Sequence, residues 1–416
     1  MSVRQSVVGS VVEGASAARD ADRLVGIDIA RGVAILGMFV VHVGLGWTLA
    51  SGENALYGVV AGRAAALFAV LAGVSMALLS GGSRPKRGDA ERGVALWRIV
   101  LRGLLILPVG VGLALLGTGV SVILAYYAVF FVLAVVFLAE RWRVVALTAV
   151  VLGVVGPVVS FFVRRAVEGE GPAASVVGVV NGFDPLERVS GEGVVDLLLT
   201  GAYPALTWLP FVLVGLALGR LDLWSTRVRW WLVGVGVGVA TVAYAVSWFV
   251  LRQGAVLERL AASENPETGA EFGAAGVAQA LYEGFSGTVP VSEWMWLLVA
   301  APHSGTPFEV FGAGGIAVAL LGVCLLVGPY LRGVGYPLAA VGACALTVYV
   351  GHIVVIWVTD NGWLSGTPLW WAQAEVAWTV LLGSLVFATV WRLLVGRGPL
   401  EGPLSVASSW AARRIP

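Results

Sequence analysis

Residues 25–49 read VGIDIARGVAILGMFVVHVGLGWTL, an apolar run long enough to cross a bilayer that nevertheless carries Asp28, Arg31 and His42. A membrane span needs about 20 mostly apolar residues. His42 follows Arg31 by eleven positions. At ~100° and ~1.5 Å per residue, that step returns it to within about 20° of the arginine's face, roughly 16 Å further along the axis. Asp28 lies one turn before Arg31 on the same side. A polar stripe therefore enters a hydrophobic helix. Ionisable groups inside a span cost at least ~2.5 kcal/mol each on insertion scales, so they persist where they face a bundle interior, a cavity or a reaction.

Nine further apolar runs follow, at 57–80, 97–117, 119–139, 143–163, 202–219, 230–251, 310–329, 335–358 and 372–395. Hydrophobic residues make up 58% of the chain and charged residues 12%, with a mean hydropathy of +0.90. Soluble domains run near ~45–50% and ~25%. The expected fold is an all-α polytopic membrane protein, a bundle of about ten transmembrane helices.

Alternating these runs from a cytoplasmic start puts 20 of the 26 Lys and Arg on the inner side and 16 of the 25 Asp and Glu on the outer side. The densest basic stretch, Arg84 to Arg102, falls in a short connection, where positive charge reports orientation best. Both termini are thus expected inside, in a multi-pass protein of the cell membrane. Residues 1–23 show no compact basic start leading into an apolar core, so they read as a disordered cytoplasmic tail rather than a cleavable signal. The transmembrane domain is expected over 24–400, with a cytoplasmic tail at 401–416. The long outer connections, 164–201 and 252–309, are acidic and rich in Gly and Pro, and read as lids over an external opening.

Cys324 and Cys344 lie in apolar runs as small packing residues, and no metal-ligand spacing is present, so no metal is expected. Closely spaced glycines, such as Gly110 and Gly112 or Gly234, Gly236 and Gly238, suit tight helix contacts in lipid. The basic residues form no aromatic-basic module, so nucleic acid is not an expected partner.

Histidine is the side chain whose ordinary pKa best suits proton transfer near neutrality. His42, His352 and His303, the last within PHSGTPF at 302–308, all fall toward the outer leaflet. His42 reads as functional because Arg31 shares its face; His352 and His303 read either as substrate contacts or as solvated and capping residues. Arg63, in the second run, either pairs with Glu53 or Glu309 or holds substrate. Tyr126 and Tyr127 follow SVILA at 121–125; Tyr126 is a candidate substrate contact, with interfacial anchoring the alternative.

RLVGIDIARGVAILGMFVVHVG (23–44) resembles the first helix of the transmembrane acyltransferase superfamily, which includes heparan-α-glucosaminide N-acetyltransferases, acyltransferase type 3 proteins and YeiB-like proteins (domain of unknown function 418). GRAAALFAVLAGVSM (62–76), ILAYYAVFFVL (123–133), GACALTVYVGHIVV (342–355) and RGPLEGPL (397–404) agree in order, and the last two are most similar to the YeiB-like branch. The resemblance implies acyl transfer carried by Arg31 and His42, with Asp28 orienting the arginine. The YeiB-like branch more often has Asn at the His42 position.

On that reading an acyl-CoA, acetyl-CoA or another, donates from the cytoplasm, with Arg98, Arg102 and Arg31 as candidate phosphate or pantetheine contacts. His42 acts as general base or transient acyl carrier. A sugar or another hydroxyl or amine compound enters from outside past His303, His352 and Arg63. Two other classes stay open. Pro108, Pro157 and Pro210 as helix interruptions suit a transporter or exporter of a small polar metabolite; the third class is a silent membrane scaffold. The oligomeric state is not fixed by these features.

Overall fold

The computed structural model describes residues 24–45, 54–86, 88–168, 171–266, 268–331 and 333–415. The expected tail at 1–23 lies outside the described residues, as does Glu53. Apart from one isolated bridge between Glu264 and Glu271, the described residues are helices and their connections. The all-α polytopic reading holds.

Each of the ten apolar runs becomes helical. The first, α1 (Val25–Val43), stops earlier than expected because Gly44 adopts a left-handed conformation at φ 66° and its N–H closes back on Val40 O. The second splits into α2 (Ala55–Val60) and α3 (Arg63–Leu79). Asn54 caps α2 by accepting from Leu56 N and Tyr57 N. Next come α4 (Asp89–Ala114), α5 (Leu124–Ala134) and α6 (Trp142–Glu168). Among the described residues seven helical stretches, α2 and α3 taken together as one, are long and apolar enough to cross a membrane, and a further pair does so across a bend, which gives seven or eight spans where ten are expected; the runs at 119–139 and 202–219 form shorter helices.

The connection expected as a lid at 164–201 is largely helical: α6 runs into it, and α7 (Pro172–Phe183) and α8 (Pro185–Ser190) follow. Then α9 (Ala205–Leu218) and α10 (Thr226–Leu251) return through the bundle. The second outer connection holds α11 (Val256–Ala261) and α12 (Gly273–Glu283), which pack with Phe161 around the buried Trp296 in a small core of their own. Beyond it lies α13 (Pro307–Val327).

Small residues let helices touch backbone to backbone, as expected where lipid offers no hydrophobic drive to association. A Cβ on Gly73 of α3 would fall 1.9 Å from Val212 O of α9, and one on Gly215 of α9 1.8 Å from Val70 O. Gly110 and Gly236 make such contacts too; Gly112, Gly234 and Gly238 face open space. Pro108, Pro157 and Pro210 do not interrupt their helices, contrary to the expectation that favoured a transporter.

The break lies in the ninth run. α14 (Tyr336–Ala343) and α15 (Ala345–Asp360) meet at 86°. Turning a chain inside a bilayer leaves carbonyls at one helix end and N–H groups at the other, each costly without a partner. Two side chains from elsewhere meet this need. Arg31 donates to Gly342 O at 3.0 Å. Glu401 accepts from Thr347 N at 2.9 Å and from Thr347 Oγ1 at 2.7 Å. A cation at a helix C-terminus and a carboxylate at an N-terminus also match the helix dipoles.

Glu401 opens α18 (Glu401–Ala412), which packs on α4 after α16 (Trp370–Ala374) and α17 (Val376–Leu394). The expected boundary at residue 400 is therefore misplaced: 401–412 belong to the fold, because the break needs their carboxylate.

Two outcomes follow for the detergent-solubilised protein followed by thermal unfolding. Gly215→Ala is destabilised by at least ~1–3 kcal/mol through overpacking, while Gly238→Ala, in open space, matches wild type. Glu401→Ala loses about 1–3 kcal/mol by leaving the Thr347 N–H without its acceptor, and Glu401→Gln, which keeps a carbonyl oxygen there, loses less.

Candidate functional site

Two largely buried helices are also short. α5 has 11 residues and α9 has 14, which at ~1.5 Å per residue reach only about 16 and 21 Å, against a hydrocarbon thickness of ~30 Å. The segments that lead into them border a cavity of about 350 Å³, walled by Val41 and His42 from α1, Tyr57 from α2, the segment 118–121, Tyr203, and His303 from the second outer connection.

His42 is fixed from behind. Its Nδ1 lies 3.0 Å from Nε2 of His352, and the rings are nearly parallel, 12° apart. His352 is buried, with Phe39 stacked at 4.2 Å and its own Nδ1 bonded to Tyr349 O. The network assigns the tautomers. A carbonyl only accepts, so Nδ1 of His352 carries the proton and its Nε2 in the neutral ring is bare. Nδ1 of His42 must then donate, which leaves Nε2 of His42 as a lone pair with no hydrogen-bond partner among the described residues.

His303 reaches the same cavity by a different device. It is the one non-glycine residue among those described with a positive φ, 52°, a conformation that persists only where the surroundings over-determine it. Its N–H donates to Glu309 Oε1, and its carbonyl accepts from Gly287 N at 3.0 Å. Glu309 Oε2 accepts from Gly305 N at 2.7 Å and from Ser304 Oγ at 3.2 Å, so one buried carboxylate organises the whole PHSGTPF turn. The imidazole stacks on Trp208 and meets Tyr203 edge-on, and its ring nitrogens have no hydrogen bond among the described residues. Burial pushes its pKa down to about 4.

The three histidines are therefore brought together, and the arginines are not. Arg31 donates to Asp28 Oδ1 at 3.1 Å and Ser75 Oγ at 3.2 Å besides Gly342 O, and neither Arg31 nor Asp28 lines the cavity. The ~16 Å separation expected along α1 sets the two side chains among different neighbours, Gly342 and Ser75 for Arg31 and His352 for His42. Arg63 donates to Tyr244 OH at 3.2 Å and to Gly58 O at 2.8 Å, bracing the α2–α3 junction. It makes no ion pair with Glu309, whose oxygens serve the turn.

Tyr126 is fully buried, its hydroxyl accepting from Ala202 N at 3.0 Å, so it positions a wall residue rather than lining the cavity. Arg98 donates to Ser405 Oγ of α18 at 3.3 Å, and Arg102 lies in the same seam near Glu401. The folding-back of α18 removes both from the open cytoplasmic face expected of donor contacts. Tyr57 and Tyr203 were missed as wall residues; GAYP at 201–204, a tyrosine wedged between a glycine and a helix-starting proline, was their nearest signal. Among the described residues no group of three or more His, Cys, Asp or Glu is arranged to hold a metal.

His303 binds its proton below the ordinary value of 6.5. As pH falls from 6.5 toward about 4, the unfolded chain protonates first, so its contribution to stability is present above that window and lost through it. His303→Asn, which tolerates the left-handed backbone, is expected to flatten the fall of thermal stability over that pH range. Comparison of the chain with models of known protein families and with curated proteins finds no match to either.

Proposed function

We propose that the protein is an integral membrane acyltransferase in which His42 is the general base. The observation that carries this reading is the bare Nε2 of His42 at a cavity, with the opposite nitrogen held by His352 and that ring in turn by a backbone carbonyl. A base fixed by a second group, itself fixed by a third, is the arrangement that activates a hydroxyl or amine.

In the proposed reaction an acceptor with a hydroxyl or amine, such as a sugar, enters the cavity between His42, His303 and Tyr203. Nε2 of His42 takes the acceptor proton as its oxygen or nitrogen bonds to the carbonyl carbon of an acyl thioester. The C–S bond breaks, and the departing thiolate recovers the proton from the imidazolium. The donor is cytoplasmic acyl-CoA, with acetyl as the first group to test, and both termini face the cytoplasm of a cell-membrane protein. Arg31 supports this by holding the α14–α15 break, which sets where α15 carries His352, rather than by touching substrate.

The transporter reading draws on the same 86° break, since discontinuous helices present their ends to substrates. Here those ends are already taken by Arg31 and Glu401.

Membrane vesicles containing the protein, given radiolabelled acetyl-CoA and a crude cell-envelope acceptor fraction, are expected to transfer label. His42→Gln should lower the rate about 10²–10⁴-fold and His352→Gln, which keeps more of the buried volume than alanine, less, with His42→Gln retaining wild-type thermal stability to within a few degrees. Equal labelling by His42→Gln overturns the reading. Uptake of solute without label transfer replaces it with transport.

A further inference from the structure

On the side of the bundle opposite the histidines, the α3–α4 and α5–α6 connections come together as one groove. Two adjoining hollows, of about 370 Å³ and 480 Å³, share Lys86, Arg92 and Ala139. The larger is lined in addition by Arg141, Arg143 and Arg220. The acidic residues facing them are Asp89 in one and Glu140 in the other. Neither neutralises the groove: the ion pairs found among the described residues are Arg31 with Asp28 and Arg164 with Glu168. Lys86, Arg92, Arg141 and Arg143 make no side-chain hydrogen bond or ion pair among the described residues, although Arg143 lies over the Trp142 ring at 5.4 Å.

The floor is built rather than incidental. Arg220 is 6% exposed and ties the two connections together, donating to Gly82 O at 3.0 Å, to Ser80 Oγ at 2.9 Å and to Leu138 O. Its Nε is buried and has no hydrogen-bond partner among the described residues. Inner-face topology requires positive charge but not a concave seat with a buried arginine beneath it. The smaller hollow continues onto apolar wall at Leu96, Val135 and Val136, and Val136 is 68% exposed where lipid would lie.

We infer that this groove binds a phosphate group, its oxygens taken by Arg92, Arg143 and Lys86. Guanidinium forks match phosphate oxygens in pairs, and a surplus of unpaired cations over two carboxylates selects an anion. The phosphate belongs either to the headgroup of an anionic phospholipid, whose acyl chain would run along Val136, or to a soluble phosphate compound. The inference is independent of the acyl-transfer proposal, because no residue of the histidine cavity takes part.

The test uses the full-length protein, wild type and Arg92→Gln/Arg143→Gln, with Arg252→Gln/Arg259→Gln as a charge-matched control on another face. Native mass spectrometry from mixed phosphatidylglycerol and phosphatidylcholine measures retained lipid, and thermal unfolding with inorganic phosphate against chloride at equal ionic strength measures the soluble arm. Preferential retention of phosphatidylglycerol that falls roughly tenfold in the double variant, and not in the control, supports the site with lipid as its source. A phosphate-specific rise in Tm lost in the double variant, without lipid preference, supports it with a soluble source. Loss in neither arm, or equal loss in the control, overturns it. Arg92→Lys/Arg143→Lys, which keeps the charge, should recover part of either signal, and its recovery separates a lost site from a misfolded variant.

Discussion

A helix that turns by 86° within a bilayer must place its freed backbone groups somewhere, and this chain resolves the problem with a pair of opposite charges. Arg31 meets the carbonyl end at Gly342, and Glu401 meets the amide end at Thr347. Each charge is itself held: Arg31 by Asp28 and Ser75, Glu401 by the Thr347 hydroxyl. The two clamps draw on α1, α3 and α18, so the bend is a property of the whole bundle rather than of its own segment. Gly342 seats the junction against α1, where a Cβ would come within 1.8 Å of Asp28 O.

From that bend α15 carries His352 to His42, and the geometry of the outer cavity follows. The segments that lead into the short α5 and α9, 118–121 and Ala202–Tyr203, supply one wall, and the strained turn at His303 supplies another. Three unrelated devices therefore meet at one place: a bent helix, two short helices and a carboxylate-organised loop. Agreement of independent strained or costly features at one cavity is the strongest physical reason to seek function there.

The all-helical architecture is legible because apolar length is a strong signal; the number of spans is less so, since two of the ten runs form helices too short to cross. The bend in the ninth run was not legible, since its hydropathy is continuous and the partners that permit it lie far away in the chain. Depth along the spans places the three histidines in one leaflet and no more. Their direct contact depends on the rotation of α15, which no spacing within either helix fixes. Arg31 and His42 show the opposite limit: periodicity gave a common face, yet the partners at each level belong to different helices. Glu401 reads as part of a tail because it follows the last apolar run as an isolated charge. Its role appears only when the carboxylate is seen 54 residues away from the amide it satisfies.

That separation has a consequence for biogenesis. During synthesis the bent segment enters the membrane before its acidic cap has been made, and its exposed amide end must wait, hydrated or chaperoned, while α17 is threaded behind it. Maturation of the outer cavity is thereby placed under the control of a late translational event on the opposite face, and a ribosome stalled short of Glu401 would leave an inserted but unfinished protein for membrane proteases to recognise.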